Sequence, residues 1–333
     1  MNFNLSGKNT HKSFSVVFFE DLSPDQVHDY GGKAINLARL HQLGVRVPKG
    51  FVIPSHGFIQ FTNQEEFSEF ISFLRKEDKD IETILESTKV FFHTASQLPI
   101  PPHIVKEIIR GLHLLESDQL NPPTSYAVRS SASVEDTHQT SFAGQADSFL
   151  CVSEIPSILE AVKRTWLSAF SPRSILYLQG KGIPFHEIRM GVIIQEMVIG
   201  EISGVMFTAN VSTGDRNQLL IDANWGLGET IVAGKVKPDS FILQKNPLKV
   251  LHRHLGEKRL HSTPSPPHQP RYTQLSETPV EKRKIFSLSE TQLFELAQLG
   301  LHIEHLFGTP QDVEWTFRNG QFVILQTRPI TTI

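Results

Sequence analysis

Asp312, Glu314, Gln326 and Arg328 lie close together in the terminal stretch DVEWTFRNGQFVILQTRPITTI, among apolar neighbours. Carboxylate and amide oxygens beside a guanidinium suit a Mg²⁺–triphosphate, which needs hard oxygen donors for the metal and a cation for the phosphates. The stretch reads as a β-hairpin, and its register decides whether these groups meet. A two-residue Asn319-Gly320 turn pairs Arg318 with Gln321 and sends Glu314 and Gln326 to opposite faces. A three-residue loop, Arg318-Asn319-Gly320 with a left-handed Gly320, pairs Phe317 with Gln321 instead. Asp312, Glu314, Ile324, Gln326 and Arg328 then share one face, and Val313, Trp315, Phe317, Val323 and Leu325 share the other. The second register has the cleaner apolar face and is the one expected.

Four further stretches could handle an anion or a nucleotide. Gly31-Gly32-Lys33 precedes a helix, where uncovered N–H groups and the helix dipole welcome a phosphate and Lys33 adds a mobile charge. It is not a Walker A loop, and a glycine turn with a surface lysine is the commoner reading. VRSSASVEDTHQTSFAGQ sets Arg129 beside a double serine and a hydroxyl-rich loop ending at Gly144, which suits a polyphosphate. A polar surface loop is an equally good reading. In VIIQEMVIGEISGVMFT, Gln195 and Glu196 interrupt an apolar strand that could offer backbone groups to a purine edge, or could simply face solvent. WGLGETIVAGKVKPDSF reads first as a tight strand–helix connection, with a loop approaching a nucleotide as the rival.

These groups must be carried by an ordered scaffold. GGKAINLARLHQLG has helical apolar spacing with Gly44 as its stop, SFSVVFFE and VRVPKGFVIP read as strands, and residues 56–118 as helices. YAVRSS and SFLCV read as strands flanking the polar loop, and 154–180 as helical with a break at Ser171-Pro172. From Met190 the pattern changes to short strands: MGVIIQEMV, SGVMFTAN, NQLLIDAN and DSFILQK. HSTPSPPHQPRYTQ reads as an exposed loop, and Ser289-Glu290-Thr291 starts the last helix. The expectation is an α+β protein of two lobes, 1–190 and 191–333.

With 333 residues, a formal charge of −3 and 39% apolar content, the chain can build a core and carries no general bias toward nucleic acid or an anionic membrane. Cys151 is the single cysteine, so no intrachain disulfide and no cysteine-built metal site can form, which suits a reducing cytoplasm. No stretch has the roughly 20 apolar residues of a membrane helix. Among the 15 histidines, the pairs His252/His254 and His302/His305 lack an evident third ligand.

Taken in order, GGKAINLARLHQLGVRVPKGFVI, VRSSASVEDTHQTSFAGQADSFL, VIIQEMV, SGVMFTAN, WGLGETIVAGKVKPDSF and DVEWTFRNGQFVILQTRPIT resemble the N-terminal ATP-binding domain of the pyruvate phosphate dikinase and phosphoenolpyruvate synthase family. GVMFTANVSTGDRNQLLIDANWGLGE looks particularly like the rifampin phosphotransferase branch. The resemblance implies an ATP-grasp fold, in which two α+β lobes clamp ATP. It implies Lys33 and Arg129 on the phosphates, Gly144 and Ser148 in the loop over them, and Gln195 at the adenine linker with backbone groups of Glu196 and Val198. It further implies Mg²⁺ on Glu314 and Gln326, and Arg328 at the phosphates. Ser148 stands where threonine is usual, and Val211 where proline is common. No segment resembles the family's swivelling domain, whose histidine takes the β-phosphoryl group of ATP. The expected activity is therefore ATP cleavage to AMP, with the acceptor histidine on a separate domain or subunit. The alternatives are a stand-alone ATP-grasp ligase or small-molecule kinase releasing ADP, and a regulatory ATP-binding subunit.

Overall fold

The runs GFVI, YAVRSSA and MGVIIQE lack the polar alternation of a half-exposed strand, and nearly every residue in them is buried in a computed structural model of the chain. The structure describes residues 14–75, 80–117, 119, 122–132, 148–266, 272–331 and 333. These runs form the middle of a five-stranded antiparallel sheet, ordered Val17–Phe18, Gly50–Ile53, Met190–Glu196, Tyr126–Ala132, Ser148–Val152. Helices including Ser55–Thr62, Ile81–Gln97, Pro102–Ser117 and Ile155–Leu167 bury an aromatic core on one face, with Phe61 stacked on Trp166 and Phe70 on Phe91. The fold is α+β, as expected. Among the described residues, no helix is long and apolar enough to cross a membrane.

A second antiparallel sheet runs Gln321–Pro329, Gln311–Arg318, Ile202–Phe207, Gln218–Trp225, Asp239–Gln244, Lys249–His254. The chain crosses between the sheets over residues 197–201. Met190–Glu196 therefore pairs with the earlier strands, and the change of sheet falls after it. Alternation does not reveal this, because Met190–Glu196 is covered on both faces.

The helix Gly32–Gln42 joins the two halves. Its apolar residues Ala34, Leu37, Ala38 and Leu40 lie in one core with Val52 and Ile193 of the first sheet and Met206, Leu219 and Trp315 of the second. Asn36 donates to the Thr327 carbonyl at 3.1 Å, and Arg39 donates to Leu306 and lies over the Phe307 ring. The stop at Gly44 is as expected: its φ is +78°, the left-handed conformation of a helix C-terminus. The final helix, Glu290–Phe307, starts at a Ser289/Gln292 capping box and ends at a left-handed Gly308.

Two expectations fail. HSTPSPPHQPRYTQ is not all loop, because Leu260–Pro264 pairs with Thr273–Glu277 as a two-stranded ribbon; residues 267–271 lie outside the description. A peripheral ribbon has no apolar face to give it away. SFSVVFFE yields only Val17–Phe18 as strand, since Phe19–Asp21 turns into a 3₁₀ helix that buries Phe19.

Candidate functional site

The terminal hairpin corrects the expected register and keeps its consequence. Arg318 faces Gln321 across a two-residue turn in which Asn319 and Gly320 both have positive φ, 50° and 76°. That is the turn whose twist matches the strands, and asparagine tolerates the left-handed well that a three-residue loop would have reserved for glycine alone. A β-bulge then leaves Leu325 without a partner, so Glu314 lies opposite Gln326 and Asp312 opposite Arg328. The charged face therefore forms, although Ile324 leaves it to lie opposite Trp315 in the core, and Leu325 turns into a cleft.

That cleft lies between the sheets and takes in about 740 Å³, open mouth included. Ala127 and Arg129 reach it from the first sheet because they alternate along one face of Tyr126–Ala132. The next residue in that alternation, Ser131, accepts the Ala34 N–H at 3.0 Å. Arg129 is 7% exposed; its Nη1 donates to Glu314 Oε2 at 2.9 Å and makes a longer contact of 3.5 Å with Gln326 Oε1. Its Nε is buried without a partner among the described residues, as is the indole N–H of Trp315 at the same cleft. Buried donors without partners call for an explanation, and beside a cavity a ligand's acceptors are one. Beside them, Arg328 donates through Nε and Nη2 to Asp312 Oδ2 at 2.8 and 2.7 Å. Burial raises the Asp312 pKa, Arg328 opposes that rise, and the Glu314 charge adds to it.

Seven of the ten site residues expected from the sequence converge here. Arg129, Ser148, Gln195, Glu196, Val198 and Glu314 line the cleft, and Gln326 joins through Arg129. Ser148 lies opposite Arg129 in the sheet. Gln195 is buried and donates to the Pro48 carbonyl at 3.2 Å. Glu196 spends its N–H on the Lys49 carbonyl and takes the Gln119 amide on its carboxylate, whose pKa burial raises. Met197 N–H goes to Ser125, whereas among the described residues nothing engages the Val198 backbone. Lys33 and Arg328 stand outside the cleft lining. Lys33 sits in the first turn of the helix docked on Ser131, and Arg328 beyond Gln326 on the hairpin. Gly144 lies outside the described residues.

Sequence reasoning missed several cleft residues. WGLGE is indeed a tight strand–helix connection, and Leu227, Gly228 and Glu229 also wall the cleft. Leu150 is delivered by a second bulge, where Cys151 takes φ +61°, a strained conformation for a residue with a side chain. Burial, with Glu229 adding, pushes the Cys151 thiol up to about 12, so it is not a nucleophile. Gly204 allows a close approach of strands beneath the cleft. A Cβ there would sit 2.0 Å from the Asp222 carbonyl and 2.5 Å from the Trp315 ring.

Gly31 holds the helix against this site. Its φ is +80°, and a Cβ would meet the Ser131 carbonyl at 2.2 Å. Gly31→Ala is expected to lower unfolding stability by about 2 kcal/mol or more. It should also weaken nucleotide binding by displacing Lys33, which a melt and a titration on the same sample would register. A variant as stable as the native chain would show that this close approach is unimportant.

The sequence profile described as "Pyruvate phosphate dikinase, AMP/ATP-binding domain" matches residues 27–333. The chain is 35% identical over 323 residues to a probable phosphoenolpyruvate synthase of Methanothermobacter thermautotrophicus, covering 96% of this chain and 46% of that protein. It is 35% identical over 325 residues to a rifampicin phosphotransferase of a Streptomyces species, covering 96% of this chain and 36% of that protein. Against the phosphoenolpyruvate synthase of Pyrococcus furiosus it is 31% identical over 361 residues, covering 96% and 44%. The chain thus spans less than half the length of these relatives.

Proposed function

Because the chain belongs to the pyruvate phosphate dikinase AMP/ATP-binding domain family, we propose that it is the ATP-binding component of a dikinase-type phosphotransferase with an ATP-grasp clamp. One observation carries the reading: a single guanidinium nitrogen of Arg129, from one sheet, reaches the side-chain oxygens of both Glu314 and Gln326, from the other. The phosphate-binding cation and the metal-binding oxygens meet at one point.

In this reading the adenine lies against Gln195–Val198, with the Glu196 carbonyl and the unengaged Val198 backbone meeting its edge. The phosphates lie toward Arg129, Lys33 and Arg328, with Ser148 beside them. Glu314 and Gln326 fit Mg²⁺, being hard oxygen donors already converging on a cationic group. Among the described residues, no cluster of three or more His, Cys, Asp or Glu side chains is placed to hold a metal. Glu314 and Gln326 would hold the ion through their side-chain oxygens. Bound there, Mg²⁺ supplies charge neutralisation to the phosphates. Arg129, fixed by burial, neutralises charge on the transferred group without having to reorganise. The β-phosphoryl group passes to a histidine on a separate swivelling domain or subunit, releasing AMP, and one water takes up the γ-phosphoryl group as inorganic phosphate.

³¹P NMR of Mg²⁺–ATP, with the chain alone and with a separately produced histidine-bearing domain of the family, tests this. AMP and phosphate are expected only in the mixture. ADP from the chain alone would move the reading to a stand-alone kinase or ligase. Tight ATP binding without turnover in any mixture would move it to a regulatory subunit.

A further inference from the structure

The helices Glu65–Arg75 and Ile81–Gln97 pack against each other and leave a groove along their seam, which takes in about 920 Å³, open mouth included. It shares no lining residue with the nucleotide cleft. Phe70 and Phe73 line it from one helix, Val90 and Phe91 from the other. The floor is a stack of rings, Phe73 on Phe70 and Phe70 on Phe91, the last pair with centroids 4.0 Å apart and planes 5° from parallel. Val90 is 69% exposed, an apolar side chain left to water beside this aromatic floor.

The rim is acidic. Glu66, Glu69, Phe70 and Phe73 follow the i, i+3, i+4, i+7 spacing of one helical face, and Glu86, Val90 and Thr94 the i, i+4, i+8 spacing of another. Consecutive packed helices joined by five residues run antiparallel. With Phe70 level with Phe91, Glu66 then lies toward the Thr94 end of the groove and Glu86 toward the Phe73 end. Carboxylates therefore flank the apolar floor at both ends. Among the described residues, none of the three forms an ion pair. Glu65, Asp80 and Glu82 add to the negative field, and among the described residues of the two helices only Arg75 and Lys89 oppose it.

We propose that this groove docks a basic amphipathic α-helix of a partner polypeptide, its apolar edge on Phe70, Phe73 and Val90 and its lysines or arginines on Glu66, Glu69 and Glu86. A helix lying in a groove needs an apolar floor for anchors one turn apart, and the sign of the rim then selects which helix enters. Long cationic side chains suit the place, because their methylene stems cover ring edges while the charged head reaches a carboxylate. The chain's own formal charge of −3 opposes a second copy as the occupant. A partner held here leaves the cleft open, so neither the docking nor its test depends on the nucleotide reading.

Fluorescence anisotropy of a labelled helical peptide of about 18 residues, leucine along one face and lysine on both flanks, tests this on the whole chain. Saturable binding in the micromolar range is expected, and it should weaken about tenfold as salt rises from about 0.05 to 0.5 M. The isomer with glutamate in place of lysine should not bind. The triple variant Glu66→Gln/Glu69→Gln/Glu86→Gln should lose roughly tenfold in affinity, and Val90→Ser several-fold. Val90→Ser alters a mostly exposed side chain and should keep the native melting temperature, which separates lost docking from lost folding. Hydrogen exchange should show protection by the peptide confined to the two helices and their connection. No saturable binding, binding of the acidic isomer, native affinity in either variant, or protection elsewhere overturns the proposal. Self-association of the chain that the triple variant abolishes also overturns it, because the occupant is then a second copy.

Discussion

Arg129→Ala is expected to weaken Mg²⁺–ATP binding by a hundredfold or more, the largest functional effect of any single substitution in the cleft. A buried guanidinium that donates to phosphate through more than one N–H contributes about 1.5–3 kcal/mol per charged hydrogen bond. Two such bonds are worth roughly two to four orders of magnitude in Kd. Arg129→Lys keeps the charge without the fork and should recover only part of the loss. Glu314→Gln separates the metal from the phosphates. The amide still accepts from Arg129, so nucleotide binding without metal should stay near native, while its enhancement by Mg²⁺ should largely disappear. The folding cost is small by comparison, because the Glu314 side chain is 24% exposed and water takes up much of what Arg129 leaves behind. Calorimetric titration with and without Mg²⁺ reads both quantities. If Glu314→Gln kept the native dependence on Mg²⁺, Glu314 would not be the metal ligand.

The chemistry of this cleft was legible in the sequence because side-chain types and local spacing carried it. Arg129 among serines needed only side-chain types, and Glu314 and Gln326 stand out in one hairpin, but alternation alone does not put them on one face. What stayed hidden depended on the backbone departing from that alternation. The bulges at Leu325 and Cys151 each insert one residue and re-aim a leucine into the cleft. Nothing local distinguishes those positions from regular strand, since the neighbouring strands fix the register. The hairpin shows how close the two outcomes lie. The turn that sequence pairing alone rejected is the one present, and a bulge beyond it restores the charged face. Lys258 was illegible for another reason: a lysine in a polar stretch reads as surface, and only the assembled sheet shows its side chain to be fully buried.

Removing one partner of the buried Lys258–Asp239 pair should unfold the second lobe more readily than any other polar substitution in it. Both side chains are 0% exposed and directly ion-paired. Asp239 also accepts the Gly256 N–H at 2.9 Å and the Ser287 N–H and hydroxyl at 2.7 and 2.8 Å, while Lys258 donates to the Gly256 carbonyl at 3.0 Å. Lys258→Met leaves a buried carboxylate without its cation, and such breakage costs about 3–5 kcal/mol. Adding Asp239→Asn should restore part of that loss, because an amide still takes some of the N–H donors without an uncompensated charge. The double variant should therefore be more stable than Lys258→Met alone, a sign that an ordinary surface pair would not show. Denaturant unfolding measures both, and a Lys258→Met variant within 1 kcal/mol of native would exclude the burial argument. The consequence reaches the site, because Asp239 directly follows the 233–238 loop, and that loop leads back to the Glu229–Val232 helix walling the cleft. Weaker nucleotide binding in Lys258→Met than in the double variant is expected, at temperatures where both remain folded.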